Sequence, residues 1–312
     1  MDLAALPVLS LNDDAEHFSQ AMAASFREFG FALVKDHGID PALVARGWEL
    51  ARQFFAASES EKQQYCVPGH GGARGYTPFG REIAKGAAVP DLKEFWHIGR
   101  DLPPGHRLAG EAMPANVWPQ RPAEFCEVFT RLFVEFDRAG AVILSRIAVD
   151  LSLPPDWFAA ATQEGNSVLR LLHYPPITAN QAGAIRAEAH EDINLITLLL
   201  GAEEAGLELL TRHGQWLPIS PPPGALVVNI GDMLQRLTNH ALPSTTHRVR
   251  NPEASRASLS RYAMPFFLHL PSDYRLVTLP GCASDEQPDR YPEPITADAF
   301  LQERLREIGL KG

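Results

Sequence analysis

Cysteine is scarce in this 312-residue chain: Cys66, Cys126 and Cys282 are the three, and no CxxC pair occurs among them. An odd, scattered set speaks against a disulfide framework and suits a reducing compartment, where the thiols are expected to pack. Long apolar runs are also missing. The longest, such as residues 139–144, fall far short of the ~20 residues that span a bilayer. Positive charge is in deficit, with 28 Lys and Arg against 38 Asp and Glu and a formal charge of −10. Such a chain lacks the clustered cations that nucleic acid or an anionic membrane surface would need, so neither is expected as a partner. The opening residues, Met1-Asp-Leu-Ala-Ala-Leu6, carry no basic n-region, and a cytoplasmic location is expected. No internal repeat or low-complexity tract is visible.

What is present reads as a globular enzyme-sized chain. Hydrophobic residues make up 45% and charged residues 21%, enough to bury a sizeable core without staples. Helical periodicity marks residues 14–29, with apolar Ala15, Phe18, Ala21, Met22, Phe26 and Phe29. It recurs over 40–55, where Asp40-Pro41 supplies a cap followed by Pro at the first helical position, and over 121–151 and 297–308. Residues 7–11 and 30–35 are short strand-like runs, and the glycine-rich 69–86 reads as loop. After residue 166 the character changes. Strand-like runs at 168–174, 193–200, 207–210, 216–219, 225–230, 247–249 and 260–269 alternate with Pro and Gly turns. The expected fold class is α+β with a mainly β core, a double-stranded β-helix or jelly roll closing two sheets over one cavity. A helical N-terminal jacket would cover it. Residues 1–120 form the N-terminal α/β region and 121–312 the long helix, core and last helix, as one compact unit with a candidate linker at 101–120.

Eleven histidines invite a search for a metal site. In His190-Glu-Asp192, a strand would send residues i and i+2 to one face and turn Glu191 away. A third ligand must come from a distant neighbouring strand, and His247 in Thr245-Thr-His-Arg-Val-Arg250 offers it. Two imidazoles and one carboxylate on one face of an octahedral ion leave positions open, the pattern of non-haem iron(II) oxygenases. Zinc prefers a closed tetrahedron or a single open site. A His-x-Asp pair alone arises often by chance, and a hydrogen-bonded loop histidine is the plainer reading of it. Other features read blandly. His213 lies in an Arg-His-Gly turn, and His240 and His269 flank core elements. Trp96 reads as a packed aromatic, with pocket lining as the alternative. Gly69-His-Gly-Gly72 lacks the Gly-Lys-Ser/Thr of a phosphate loop, and Ser244 and Ser260 lack an ordered His/Asp partnership.

The run His190-Glu-Asp-Ile-Asn-Leu-Ile-Thr-Leu-Leu199 is followed by Gly206-Leu, Gly231-Asp, Thr238-Asn239, Ser244-Thr-Thr-His247-Arg-Val and Asn251-Pro. This series resembles the iron(II)/2-oxoglutarate-dependent dioxygenases, in the isopenicillin N synthase-like branch. Phe29-Gly-Phe, His37-Gly-Ile, Gly75-Tyr76 and Asp91-Leu-Lys-Glu94 extend the resemblance over nearly the whole chain. It implies Fe(II) held by His190, Asp192 and His247, with 2-oxoglutarate as co-substrate, dioxygen as oxidant, and no catalytic side chain beyond the metal ligands. The reaction would oxidise an unidentified small molecule, with hydroxylation the default and desaturation or ring closure open on the same scaffold.

The resemblance also implies a cationic anchor for the distal carboxylate of 2-oxoglutarate, a task suited to the planar fork of arginine. Arg256-Ala-Ser258 matches the family's Arg-x-Ser letters. Arg261 sits in Ser260-Arg-Tyr-Ala-Met-Pro-Phe-Phe267, which resembles the family's terminal core strand, and is preferred. Ala263 then stands where that family carries a serine hydroxyl, a loss of about 1.5–3 kcal/mol for a bond to a charged group. Tyr174 matches a tyrosine that reaches the same carboxylate; a core tyrosine ending a strand is the other reading. By parity Arg170, Leu172 and Tyr174 face together and His173 faces away. Two alternatives stay open: an iron oxidase of this fold that does not use 2-oxoglutarate, and a non-catalytic jelly roll that binds a metal or ligand. Neither the prime substrate nor the oligomeric state is readable.

Overall fold

Residues 6–68, 72–82, 89–110, 112–177, 184–200 and 206–307 are described by the structure, a computed structural model. Strand β1 (Val8–Ser10) leads into helix α1 (Ala15–Phe29), which starts where the Asp14 carboxylate accepts from the N–H groups of Glu16 and His17. Its buried face holds Phe18, Met22 and Phe26 at helical spacing. Gly30 ends it at φ +67°, and a Cβ there would lie 2.1 Å from Thr245 Oγ1, so only glycine makes this turn. Strand β2 (Phe31–Lys35) follows at once. Helix α2 (Pro41–Phe55) is capped by Asp40, and α3 (Glu59–Gln63) by a Ser58–Glu61 capping box. Strands β3 (Gly75–Thr77) and β4 (Glu94–Gly99) come next. Helix α4 (Phe125–Asp150) begins four residues later than its pattern suggests, because Glu124 takes φ +66°, which a continuing helix does not allow. Helix α5 (Ala159–Gln163) is a single short turn.

The second half supplies β5 (Val168–Tyr174), β6 (Ala187–His190), β7 (Ile196–Leu200), β8 (Leu207–Leu210), β9 (Trp216–Pro218) and β10 (Leu226–Ile230). Helix α6 (Asp232–Leu237), β11 (His247–Val249), β12 (Arg261–Leu268), a small ribbon of β13 (Arg275–Leu276) and β14 (Ile295–Thr296), and α7 (Ala297–Glu307) complete it. The expected end of the last helix at Ile308 lies outside the described residues, as do Gly69, His70 and Gly71 of the glycine run.

Eight strands form one sheet in the order β1-β2-β10-β7-β12-β5-β4-β3, and four form a second in the order β6-β11-β8-β9. Only β1 and β2 run parallel in these two sheets. The two sheets face each other as a jelly roll. Half the strands of the larger sheet come from the first 99 residues, so that region is more than a helical jacket. Periodicity does not reveal β3 and β4, because three to six residues carry little of it until distant partners complete the ladder. The stretch expected as strand from residue 193 becomes strand only at Ile196, since Asn194 turns inward to bond the Ile196 carbonyl and Thr197 Oγ1.

Helices α1, α2 and α4 cover one face of the large sheet. Phe266 of β12 packs edge-on to Phe133 and stacked on Phe136, with ring centroids 5.1 and 5.6 Å apart. Trp96 is fully buried among Phe54, Tyr65 and Phe125, a core residue rather than pocket lining. The opposite face holds a smaller apolar cluster, in which Phe31, Leu172, Val227 and Ala263 meet Leu207, Leu209 and Val249 of the second sheet. All three cysteines are free thiols; Cys66 and Cys282 pack against the core, but Cys126 is exposed on α4. No helix among the described residues is long and apolar enough to cross a membrane.

Candidate active site

His190 ends β6 and lies directly opposite His247 in the antiparallel ladder with β11. Their rings sit 4.4 Å apart between centroids. Asp192 is not on that strand. It lies two residues beyond, in a loop whose carbonyl accepts the Asp232 N–H at 2.7 Å, where α6 begins. Gly231 permits this approach, for a Cβ there would fall 2.2 Å from the Asn194 carbonyl oxygen. Strand parity, expected to join His190 to Asp192, therefore does not. Cross-strand register pairs the histidines, and a clamped loop brings in the carboxylate. Asp192 Oδ1 ends 3.9 Å from Nε2 of each histidine, and one donor atom from each of the three residues lies within 4.8 Å of the others.

The hydrogen bonds behind these atoms leave the right ones free. His190 Nδ1 faces the Glu188 carbonyl at 2.7 Å and His247 Nδ1 faces that of Thr245 at 3.1 Å. A carbonyl only accepts, so each Nδ1 carries the proton and each Nε2 keeps its lone pair toward Asp192. Asp192 Oδ2 accepts from Thr197 Oγ1 at 2.5 Å and Asn229 Nδ2 at 2.8 Å, which fixes the carboxylate and leaves Oδ1 open. Burial, and then the nearby His247, push His190 down to about 4. Burial works against the Asp192 charge, but His247 and His190 outweigh it and hold the carboxyl below its ordinary range. At neutral pH the set offers neutral imidazole at His190 and a carboxylate at Asp192. The N,N,O donors fit a divalent transition metal that keeps open positions.

The three residues line a cavity of about 70 Å³ together with Arg261, Tyr174 and Ala263. A larger groove of about 510 Å³, beside Arg100, His106 and Glu164, contains none of them. Arg261 and Tyr174 are register partners on β12 and β5, both buried, with the guanidinium carbon 5.0 Å from the ring centroid. The Tyr174 hydroxyl has no protein partner among the described residues. Arg256 is exposed on a 3₁₀ turn (Ala254–Arg256) outside the cavity wall. Arg170 and Leu172 share the cavity face with Tyr174. His173 turns the other way, its Nδ1 2.7 Å from Glu94 Oε1 and its Nε2 3.0 Å from Ser260 Oγ. Glu94 also accepts from Lys62 at 2.6 Å and from Tyr76. The Gly75-Tyr76 and Asp91-to-Glu94 motifs thus build a buried polar link between α3, β3, β4 and β5. His240 bonds Tyr291 at 2.5 Å, away from the cavity.

The sequence alone assigns no role to Thr197, Asn229, Lys93 or Glu82. The first two carry a usable signal: each is a polar residue at a cavity-facing place in an otherwise apolar strand. Lys93 enters only as a letter of the Asp91-to-Glu94 motif, and nothing local marks Glu82.

A jelly roll holding two histidines and an aspartate at the cavity floor defines the class of non-haem metal oxygenases, and the comparisons agree. Residues 1–121 match the family described as non-haem dioxygenase in morphine synthesis N-terminal, and residues 165–270 match the 2OG-Fe(II) oxygenase superfamily. A 2-oxoglutarate-Fe(II) type oxidoreductase of Aspergillus fumigatus is 30% identical, covering 96% of this chain and 92% of its own. A 2-oxoglutarate-dependent dioxygenase of Didymella fabae is 34% identical, over 87% and 82%. Among solved structures, a protein assigned to the 2OG-Fe(II) oxygenase family from Caulobacter crescentus superposes with TM-score 0.90 at 54% identity, covering 98% and 99%. A full-length Neurospora crassa protein in complex with α-KG, another name for 2-oxoglutarate, gives TM-score 0.85 at 26% identity, over 96% and 95%. The chain belongs to the 2OG-Fe(II) oxygenase superfamily. It is a 2-oxoglutarate-dependent dioxygenase that uses iron(II), which sets aside the oxidase and non-catalytic alternatives.

Proposed function

We propose that His190, Asp192 and His247 hold the iron, that Arg261 and Tyr174 take the distal carboxylate of 2-oxoglutarate, and that the enzyme hydroxylates a small organic molecule in the same cavity. The carrying observation is the convergence of both sets on one cavity: three open donor atoms at one place, and at another a buried arginine with a tyrosine hydroxyl that has no partner among the described residues. When bound, iron with 2-oxoglutarate activates dioxygen at the expense of decarboxylation to succinate. The chain's own residues orient and exclude. Thr197 and Asn229 hold Asp192 in one rotamer, and the carbonyls of Glu188 and Thr245 hold the histidine tautomers. The apolar walls from Phe31, Leu199, Leu207 and Val249 keep bulk water from the reacting centre. Small-molecule substrates suit the relatives. The Neurospora crassa protein is described with thymine and with 5-formyluracil, and other relatives are named a proline hydroxylase and a clavatol oxidase.

The test is succinate release from 2-oxoglutarate on adding iron(II) in air, with and without a panel of small molecules. Oxygen-dependent succinate is expected, at a higher rate when a substrate is present. Its absence under every condition would sink the reading.

A further inference from the structure

The cavity wall carries a second polar cluster that neither the three donors nor Arg261 uses. Arg170 and Lys93 both line it. Arg170 Nε donates to His97 Nε2 at 2.5 Å, which requires the His97 proton on Nδ1, and Nδ1 lies 2.6 Å from the Gly72 carbonyl. Burial, then the Arg170 charge, hold that ring neutral. The guanidinium packs over the rings of Phe95 and Phe267, 4.2 and 5.2 Å from their centroids. These contacts fix its plane. One Nη lies 3.4 Å from Glu82 Oε2, too long for a strong charged bond, and the other has no partner among the described residues. Glu82 gives its other oxygen to Lys93 at 2.7 Å, and Lys93 also pairs with Asp91 at 2.8 Å. Burial would raise the Glu82 carboxyl, but Lys93 and Arg170 overcome this and hold it well below the carboxylate range. The cluster therefore sums two cations and two carboxylates to no net charge.

We propose, resting on the reading of this cavity as the substrate site, that Arg170, with its charge balanced by Glu82 beside it, forms the recognition edge for the prime substrate. That substrate is a small neutral molecule with a strong carbonyl acceptor, such as an amide, lactam or imide. Arg170 Nη donates to the carbonyl, and Glu82, 3.4 Å from the guanidinium, offsets its charge so that no anionic partner is called for. An anion would meet cations whose charges Glu82 and Asp91 already cancel, and its own charge would stay uncompensated. A cation meets the same objection from Arg170 and Lys93. A hydrocarbon would leave the guanidinium donors unmet.

Benzamide and benzoate share a shape and differ in this edge, so they discriminate. The full chain is loaded with Mn(II) and 2-oxoglutarate, and each probe is titrated by calorimetry or ligand-observed NMR. Benzamide is expected to bind more tightly than benzoate by about 10-fold or more. Arg170→Met is expected to weaken benzamide binding by about 10-fold, and Glu82→Gln to narrow or invert the preference. Should the methionine variant fail to fold, Arg170→Lys keeps the charge but loses the fork, and benzamide binding is expected to fall in the same direction. Benzoate binding as well as benzamide, neither probe binding, or benzamide indifferent to Arg170 each overturns the proposal. Failure of Mn(II) or 2-oxoglutarate to bind in the same titrations marks instead a failure of the underlying site.

Discussion

The two faces of strand β12 share one backbone and do opposite work. Outward, Met264, Phe266 and Leu268 are buried against the helices, and Tyr262 stacks on His173. Inward, Arg261, Ala263, Pro265 and Phe267 line the cavity. The same division runs through the sheet. Strand β7 sends Ile196, Leu198 and Leu200 outward and Thr197 and Leu199 inward, and β10 sends Leu226, Val228 and Ile230 outward and Asn229 inward. A one-residue step in the pleat separates them. The outer face is a close-packed apolar contact, where every methylene adds stability. The inner face leaves a space unfilled and buries Arg261, Asp192 and Lys93 at a desolvation cost that pairing must offset. Stability and chemistry are thus assigned to alternate residues of the same strands.

Substitutions on one face or the other should separate these duties. The largest effect is expected from Asp192→Ala on the inner side: Mn(II) binding falls below detection by calorimetry while unfolding stays cooperative. Retained binding at unchanged stoichiometry would refute the metal site. Phe266→Ala on the outer side should cost about 3–5 kcal/mol in denaturant unfolding, with Mn(II) stoichiometry unchanged in the folded fraction. Loss of metal in that fraction would break the division of duties. Arg261→Ala should raise the 2-oxoglutarate requirement by about 10–100-fold, since a hydrogen bond to a charged group is worth about 1.5–3 kcal/mol. Exposed Arg256→Ala should stay within about twofold. Equal effects on the Michaelis constant would mean that the wrong arginine carries the role. The smallest effect sharpens the comparison. Ala263→Ser adds an inward hydroxyl two residues from Arg261 and should improve 2-oxoglutarate affinity by about 2–10-fold. No gain would indicate that Tyr174 and Arg261 already satisfy the carboxylate.

Much of this is legible in the amino-acid sequence. Helices α1 and α2 begin at the aspartates that cap them, and β5 and β8 match their apolar runs to the residue. Parity along β5 puts Arg170 and Tyr174 on one face and His173 on the other. Legibility fails where the partner of a segment is far away or where a loop does the work. Strand β4 is six residues whose strand character rests on pairing with β5, distant in the chain. The exposed Cys126 shows that a thiol's usual preference for burial yields to its place on a helix face.

By itself the sequence determined the letters of the site, the alternation that sorts each strand into two faces, and the polar caps that start the helices. These are local properties, set by side-chain chemistry and by backbone periods of about 2 and 3.6 residues. Only the tertiary structure decided that His190 stands across a ladder from His247. It also decided that Asp192 arrives from a loop held by the start of α6, and that Glu82, Lys93, His97 and Arg170 meet in one cluster beside the cavity. Sheet pairing and loop closure join residues by register and packing, and neither leaves a trace in the spacing of the chain.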